Sequence, residues 1–203
     1  EGFTATLLSD GRVLVTGGVS ATGGFLASAE IYNPATGTFA TVAGGMTQPR
    51  YEHAAVLLAD GRVLIAGGWS YYFSSTRPVA SAEIFDPSTN TFSALSASMT
   101  DSREGLAMAL LPSGLVLVAA GFDAHNEVLN NADVFDPASG SFTRLPSTLQ
   151  FAAESPATAL LADGRVLVAG GASGRGGFVT SADLFVPDRV FAEGFEAAVG
   201  SLP

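Results

Sequence analysis

One segment of the chain, WSYYFSSTRPVA at residues 69–80, concentrates side chains that are suited to binding a ligand. Four aromatic rings and one guanidinium belong to it: Trp69, Tyr71, Tyr72, Phe73 and Arg77. Flat amphipathic rings stack on sugars or anchor a protein partner, and a guanidinium binds carboxylates. We therefore predict a ligand-binding site here. The alternative is that the rings pack over neighbouring parts of the fold.

Arg50 and Arg103 are a second candidate site because they occupy matching positions, in the segments TQPRYEH and TDSREGL. A cluster of arginines recognises an anionic group through charge-assisted hydrogen bonds. The alternative is that each guanidinium binds a loop carbonyl or a carboxylate of an adjacent segment. The sequence leaves both interpretations open.

Acidic side chains recur at one position of a repeated segment. They are Glu30, Glu83, Asp133 and Asp183. Catalysis by a carboxylate pair needs one asymmetric site, whereas an acid that recurs along the chain is suited to satisfying backbone N–H groups. We therefore predict a structural role for these four residues.

The remaining polar residues do not form a catalytic or metal-binding set. His53 and His125 lie in different segments, and the chain has no Cys to supply a thiolate. The oxygens of Asp123, Asn126 and Glu127 fall in one segment, but their spacing does not match an EF-hand loop. We predict no metal, no cofactor and no enzymatic activity.

These residues sit on a repeat of about 50 residues, a period that indicates a repeat architecture. A first block starts at Leu7, Leu57, Leu110 and Leu160, and reads LLSDGRVLVTGG, LLADGRVLIAGG, LLPSGLVLVAAG and LLADGRVLVAGG. A second block starts at Ser28, Ser81, Asn131 and Ser181, and reads SAEIYNPATGTF, SAEIFDPSTNTF, NADVFDPASGSF and SADLFVPD.

Each repeat predicts four antiparallel strands. The apolar runs around Asp60-Gly61 indicate a hairpin with a tight primed turn, because Asp-Gly supplies positive-φ positions. SAEIF is the expected third strand and 92–95 the fourth. In such a sheet, the loop after Gly-Gly shares one face with the connection to the next repeat. We call this the loop face, and its loops are residues 19–27, 69–80, 122–130 and 172–180.

The repeats resemble the kelch-repeat family of β-propellers. Repeat 2 carries the whole family pattern, with Phe92 in place of a common Trp: Pro49-Arg50, His53, Gly67-Gly68, Glu83-Ile84-Phe85-Asp86-Pro87 and Phe92. The later repeats depart from it. Repeat 3 has Ala120-Gly121 and Leu106, and repeat 4 has Ala153 and Pro156 in place of the Arg and His.

The resemblance implies an all-β fold, a β-propeller of four-stranded antiparallel kelch blades. The expected blades are residues 1–46, 47–99, 100–149 and 150–191. Kelch propellers usually close with six or seven blades, so the resemblance implies that four repeats are an arc of a larger propeller. A closed ring of four blades is the alternative.

The end of the chain departs from the repeat. Arg189-Val190-Phe191 falls where the fourth strand is expected, with Phe191 replacing Phe92, and residues 192–203 follow as a tail. RVFAEGFE resembles a short terminal motif of secreted proteins from Gram-negative bacteria. That resemblance implies a secreted or cell-surface protein.

Composition narrows the class of partner. The net charge is −10, and such a field repels nucleic-acid phosphates and anionic membranes. No apolar stretch approaches the roughly 20 residues of a bilayer span, so we expect neither nucleic-acid binding nor membrane insertion. An open arc would leave blade faces that pair with the remaining blades of a longer parent chain or drive self-association.

The expected function is a non-catalytic binding or scaffolding module that recognises a protein or a glycan through the loop face. One alternative is part of a kelch enzyme, a hydrolase or a sugar isomerase, whose active site is completed by missing blades. Another is a structural spacer in a surface protein.

Overall fold

Each sequence repeat folds into one four-stranded antiparallel sheet, or blade, in the computed structural model, which describes residues 1–72, 75–174, 176–187 and 195–197. Blade 1 contains β1 (Thr4–Leu7), β2 (Val13–Thr16), β3 (Ala29–Asn33) and β4 (Thr38–Thr41). Blade 2 contains β5 (Ala54–Leu57) and β6 (Val63–Ala66), then an inserted hairpin of β7 (Trp69–Tyr72) and β8 (Ser75–Pro78), then β9 (Ala82–Asp86) and β10 (Thr91–Ala94). Blade 3 contains β11 (Ala107–Leu110), β12 (Val116–Ala119), β13 (Ala132–Asp136) and β14 (Ser141–Arg144). Blade 4 contains β15 (Ala157–Leu160), β16 (Val166–Ala169), β17 (Ala182–Phe185) and β18 (Phe195–Ala197).

The predicted all-β propeller of four-stranded antiparallel blades is confirmed. The first strand of each blade is innermost, and β1, β5, β11 and β15 contact one another in that order. Within the described residues, no helix is long and apolar enough to cross a membrane.

The turn between the first two strands differs from the predicted primed turn. Among residues 58–62, which form this turn in blade 2, Gly61 alone has a positive φ, at +86°. Asp60 instead accepts the Arg62 N–H at 3.0 Å, and its second oxygen pairs with the Arg62 guanidinium. The Asp-Gly-Arg sequence is therefore a side-chain-supported turn with one left-handed residue, and the prediction of a primed type was wrong.

The hydrophobic cores lie between adjacent blades rather than inside one sheet. Leu14 and Ile31 of blade 1 pack with Val63, Ile65 and Phe85 of blade 2. The same packing recurs between blades 2 and 3 and between blades 3 and 4. Successive strand residues point to opposite faces, so β6 and β12, which are buried at all four positions, contribute to the packing on both sides.

The two end blades each have one face that the described part of the chain leaves uncovered. In β2 the buried residues are Leu14 and Thr16, and in β16 they are Val166 and Val168. Burial therefore alternates along these two strands, whereas the equivalent strands of the inner blades, β6 and β12, are buried at every position. The four blades are thus stacked in sequence with an uncovered face at either end, as an arc requires.

The uncovered face of blade 1 is apolar. Leu7 and Phe39 are 63 % and 61 % exposed. Their counterparts in blade 2, Leu57 and Phe92, pack against the core shared with blade 1. Equivalent side chains therefore form an interface in blade 2 and are open to solvent in blade 1.

The fourth strand of blade 4 is not where the sequence suggested. Residues 195–197 pair with β17, and Phe195 lies opposite Phe185 in the register that Phe92 has with Phe85. Arg189-Val190-Phe191 lies outside the described residues. The prediction that the strand lies at 189–191 was wrong, and residues 195–197 of the expected tail at 192–203 belong to the blade.

Candidate functional site

The loop face is organised by short pairings between each blade connection and the loop that follows Gly-Gly. Tyr51 pairs with Trp69, and Glu104 pairs with Phe122. Glu154 pairs in the same way in blade 4. The connections and these loops therefore lie on one face, as the order of the strands predicted.

The aromatic segment of blade 2 forms the β7–β8 hairpin on this face. Tyr71 is 48 % exposed, and its hydroxyl accepts the Phe25 N–H of the blade 1 loop at 2.8 Å. The Phe25 ring lies 5.1 Å from Tyr71 and 5.7 Å from Tyr51, measured between ring centroids. The hairpin thus leans on blade 1 while one side of Tyr71 stays open.

The other predicted residues of this segment have different surroundings. Trp69 is half-buried at the base of the hairpin, and Arg77 is exposed on β8. Tyr72 ends β7 and its backbone pairs with Ser75. Phe73 lies outside the described residues. The ring packing agrees with the alternative that aromatics cover a neighbouring blade, and the exposed Tyr71 and Arg77 keep the binding prediction open.

Arg50 is inside blade 2 rather than at its surface. Its side chain donates to the Gly67 and Ser81 carbonyls at 2.7 and 3.0 Å and pairs with Glu83 at 3.2 Å. Because the residue is fully buried, the geometry favours the role of binding loop carbonyls and a carboxylate. A ligand-binding role for Arg50 has no support in this arrangement.

Arg103 repeats this arrangement in blade 3. It donates to the carbonyls of Ala120 and Asn131 at 2.9 and 3.2 Å, and Asp133 lies 3.7 Å away. It too is fully buried. The two arginines therefore do not form a joint cluster for an anion; each one fixes the shape of its own blade.

The recurring acids support the blade connections, as predicted. Glu83 accepts the Thr47 N–H at 2.6 Å, and Asp133 accepts the Thr100 N–H at 2.7 Å. Asp183 repeats the contact in blade 4. Glu30, in the end blade, is exposed.

A cluster that the sequence interpretation missed lies where the connections meet the innermost strands. Glu52, Glu104 and Glu154 come from blades 2, 3 and 4, and each places one carboxylate oxygen within 4.8 Å of the others. We call this the glutamate cluster. Glu52 also lines a cavity of about 290 Å³ between the innermost strands, together with residues of all four blades.

Burial and the proximity of other carboxylates both raise the pKa in the glutamate cluster. Burial, reinforced by Glu52 and Glu154, raises the pKa of Glu104 to about 8, although a hydrogen bond from the Trp69 indole opposes the rise. The pKa of Glu154 is also raised, first by burial and then by Glu52. Glu52 in turn accepts a hydrogen bond from Tyr51 and so raises the pKa of that phenol to about 12.

A sequence signal for this cluster existed. Glu104 and Glu154 occupy the same repeat position, directly after the Arg position, and Glu52 is one residue later in its repeat. Glu52 occupies the repeat position of Gly105 and Ser155, and all three residues have a positive φ of 52–55°. The kelch pattern specifies the Arg and His positions and does not include the two positions between them, where these glutamates lie.

The predicted oxygen-rich loop of blade 3 is closed by its own hydrogen bonds. Asp123 accepts the N–H groups of His125 and Glu127 at 2.8 and 2.9 Å, and its other oxygen lies 3.1 Å from the His125 ring. Its carboxylate thus stabilises the loop.

Comparison with known proteins identifies the family. Residues 3–46 and 50–98 match the Kelch motif. No curated protein matches the chain. The solved structure of YjhT is similar over 97 % of this chain, with a TM-score of 0.77 and 13 % sequence identity, and this chain spans 65 % of that one. Blades 1 and 2 are therefore kelch repeats, and blades 3 and 4 repeat the same four strands in a kelch-type β-propeller.

Proposed function

We propose that the chain is a non-catalytic binding module that captures a protein or a glycan on its loop face. The β7–β8 hairpin carries the proposal. Among the described loops it is the one built as a two-stranded projection, and it displays Tyr71 and Arg77 to solvent.

The hairpin is supported in a way that suits binding. The Tyr71 hydroxyl is fixed by the Phe25 N–H, so its ring is presented with little conformational freedom to lose. Tyrosine and arginine are enriched among residues that dominate binding energy. The pair therefore offers a stacking surface beside a guanidinium.

The proposal is tested by screening the 203-residue chain on glycan and peptide arrays beside Tyr71→Ala and Arg77→Ala variants. We expect ligands that bind the wild-type chain to lose about tenfold or more in affinity on the Tyr71 variant, as for a residue worth more than about 1.4 kcal/mol. Phe39→Ala is the matched control, because it removes an exposed ring on the outer strand β4. Equal binding by all variants would exclude the hairpin as the site, and no binding by wild type would favour a structural spacer.

The second candidate function, a kelch enzyme, is favoured by one observation. Glu104, with a pKa of about 8, is protonated at neutral pH beside two further carboxylates, as a general acid would be. Hydrolysis of glycosides and isomerisation of sugars are the reactions to assay. Turnover that disappears in Glu104→Gln would favour the enzyme, and turnover retained by this variant would count against it.

Export is the remaining part of the proposal. It is supported by the resemblance of RVFAEGFE to terminal motifs of secreted proteins. Fractionation of cells that express the full-length gene tests it, and protein retained wholly in the cytoplasm would contradict it.

A further inference from the structure

The glutamate cluster brings three carboxylates from three separate blades to one place. Their nearest oxygens are no more than 4.8 Å apart. Ionised carboxylates at this separation repel one another. A bound cation would offset their charge and stabilise the ionised form of all three.

Glu104 gives an independent indication that this place can bind a cation. Its side chain is only 3 % exposed, and its Oε2 oxygen receives no hydrogen bond within the described part of the chain. A buried carboxylate oxygen without a partner costs free energy that a bound cation would recover. Glu52 and Glu154 are half-buried, which leaves a route from solvent to this oxygen.

We propose that Glu52, Glu104 and Glu154 bind one calcium ion. Calcium takes six to eight oxygens at about 2.3–2.6 Å, so two of its ligands can lie about 5 Å apart, which accommodates the 4.8 Å limit of the cluster. Magnesium, with bonds of about 2.0–2.1 Å, would require the oxygens to approach within about 4.2 Å. The cluster contains neither nitrogen nor sulfur donors, which zinc and copper prefer.

The surrounding side chains orient these ligands. Two side chains act on the carboxylates from outside the cluster: the Tyr51 phenol, whose pKa Glu52 raises to about 12, and the Trp69 indole, which opposes the rise in the pKa of Glu104. Outer partners of this kind hold the carboxylates of a metal site in a fixed orientation. Three carboxylates supply up to six oxygens, and water completes the coordination. The site is independent of the proposed binding at the hairpin.

The experiment is a calcium chloride titration of the full 203-residue chain, followed by calorimetry and by tryptophan fluorescence. Trp69 is the single Trp of the chain, and its indole influences the pKa of Glu104, so its emission reports on the cluster. We expect a one-site binding heat and a saturable change in emission with the same midpoint. Magnesium chloride should give weaker binding.

The diagnostic variant is Glu104→Gln, which keeps the shape of the side chain and removes its charge. We expect calcium affinity to fall by about tenfold or more, and the emission change to disappear. Without calcium, in EDTA, the variant should melt at a higher temperature than wild type because the unpartnered carboxylate is gone. A glutamate with a merely structural role would give a lower melting temperature and an unchanged affinity.

Glu127→Gln is the matched control. It removes one exposed acid from the Asp123 loop and should leave calcium binding unchanged. If Glu104→Gln fails to fold, Glu154→Gln, at a half-buried position, serves as the test variant. The proposal is overturned if wild type shows neither heat nor an emission change up to about 10 mM calcium, well above the range of typical sites. It is also overturned if Glu127→Gln abolishes the binding.

Discussion

His53 is a buried imidazole whose surroundings hold it neutral. It is 6 % exposed, and its Nε2 lies 3.0 Å from the hydroxyls of both Thr4 and Thr16 in blade 1. Burial, and then the nearby charge of Arg50, lowers its pKa to about 3. The residue therefore joins blades 1 and 2 through a hydrogen-bond network that requires the neutral ring.

This environment makes stability depend on pH in a defined direction. The pKa of His53 is lower in the folded protein than in the unfolded chain, so the unfolded chain binds an additional proton between about pH 6.5 and 3. Its contribution to stability is complete above pH 6.5 and is lost as pH falls through this window, at a rate of up to about 1.4 kcal/mol per pH unit.

Comparing urea unfolding of wild type and His53→Leu between pH 7.5 and 4 isolates this effect, because Leu106 occupies the same position in repeat 3. We expect the two stability curves to differ in slope below pH 6.5 and to run parallel above it. Parallel curves throughout would show that His53 does not exclude the proton.

Among the structural elements, the Gly-Gly pair that ends the second strand is the most constrained. Gly67 has a φ of +68°, and a Cβ at this position would lie 2.4 Å from the Arg103 carbonyl oxygen. The close approach brings the connection of the next blade against the strand end, where the Gly68 N–H donates to that same carbonyl at 2.7 Å. Repeat 3 has Ala120 at this place, with a φ of 61°.

Replacing Gly67 by Ala should therefore lower the free energy of unfolding more than replacing a glycine that has a positive φ but space for a Cβ atom. Gly61→Ala is the matched control, since its φ is +86° and its Cβ would meet nothing closer than 3.6 Å. We expect about 1 kcal/mol for Gly61→Ala and at least about 2–3 kcal/mol for Gly67→Ala, measured by urea unfolding. Equal losses would mean that the contact with Arg103 relaxes freely.

The strands were predictable from the sequence because they depend on local patterns. Alternation of apolar residues and the position of Gly-Gly identify β5, β6, β9 and β10 without knowledge of the rest of the chain. The last strand at 195–197 was not predictable in this way, because its pairing with β17 depends on where a longer connection returns. The β7–β8 hairpin likewise lacks the usual turn signal and was expected as a loop.

The site residues also divide into those that a local pattern predicts and those that depend on distant parts of the chain. The acidic residue at one position of each repeat is visible in the sequence, and in blades 2, 3 and 4 the structure confirms that it accepts a backbone N–H group. The glutamate cluster depends on residues 52, 104 and 154 approaching one another across three blades. The spacing of residues within one repeat does not predict such a contact between residues of different repeats.

For the whole molecule, the uncovered end faces are the dominant feature. The uncovered face of blade 1 presents Leu7 to solvent. The equivalent residue of blade 2, Leu57, packs against the core that blade 2 shares with blade 1. Blade 4 presents the opposite face of its sheet. The two ends expose opposite faces of a blade, which are the two faces that meet between adjacent blades. A contact between the ends of two chains would therefore join them head to tail.

We therefore expect the 203-residue chain to self-associate with rising concentration. Sedimentation velocity should show larger species for wild type, and Leu7→Lys should shift the distribution toward monomer because a charge on the contact face is costly to bury. Arg77→Ala, on the loop face, is the control and should leave the distribution unchanged. A wild-type chain that stays monomeric at all concentrations would contradict this expectation.

Because the cores lie between blades, the natural unit of stability is the interface and not the blade. Four blades contain three such interfaces, each formed only by nearest neighbours. Adding a fifth repeat at either end would add one complete interface while the number of uncovered faces stayed at two. The cost of the ends is then shared by more interfaces, so arrays of this repeat should become more stable with length, and their unfolding should begin at the ends.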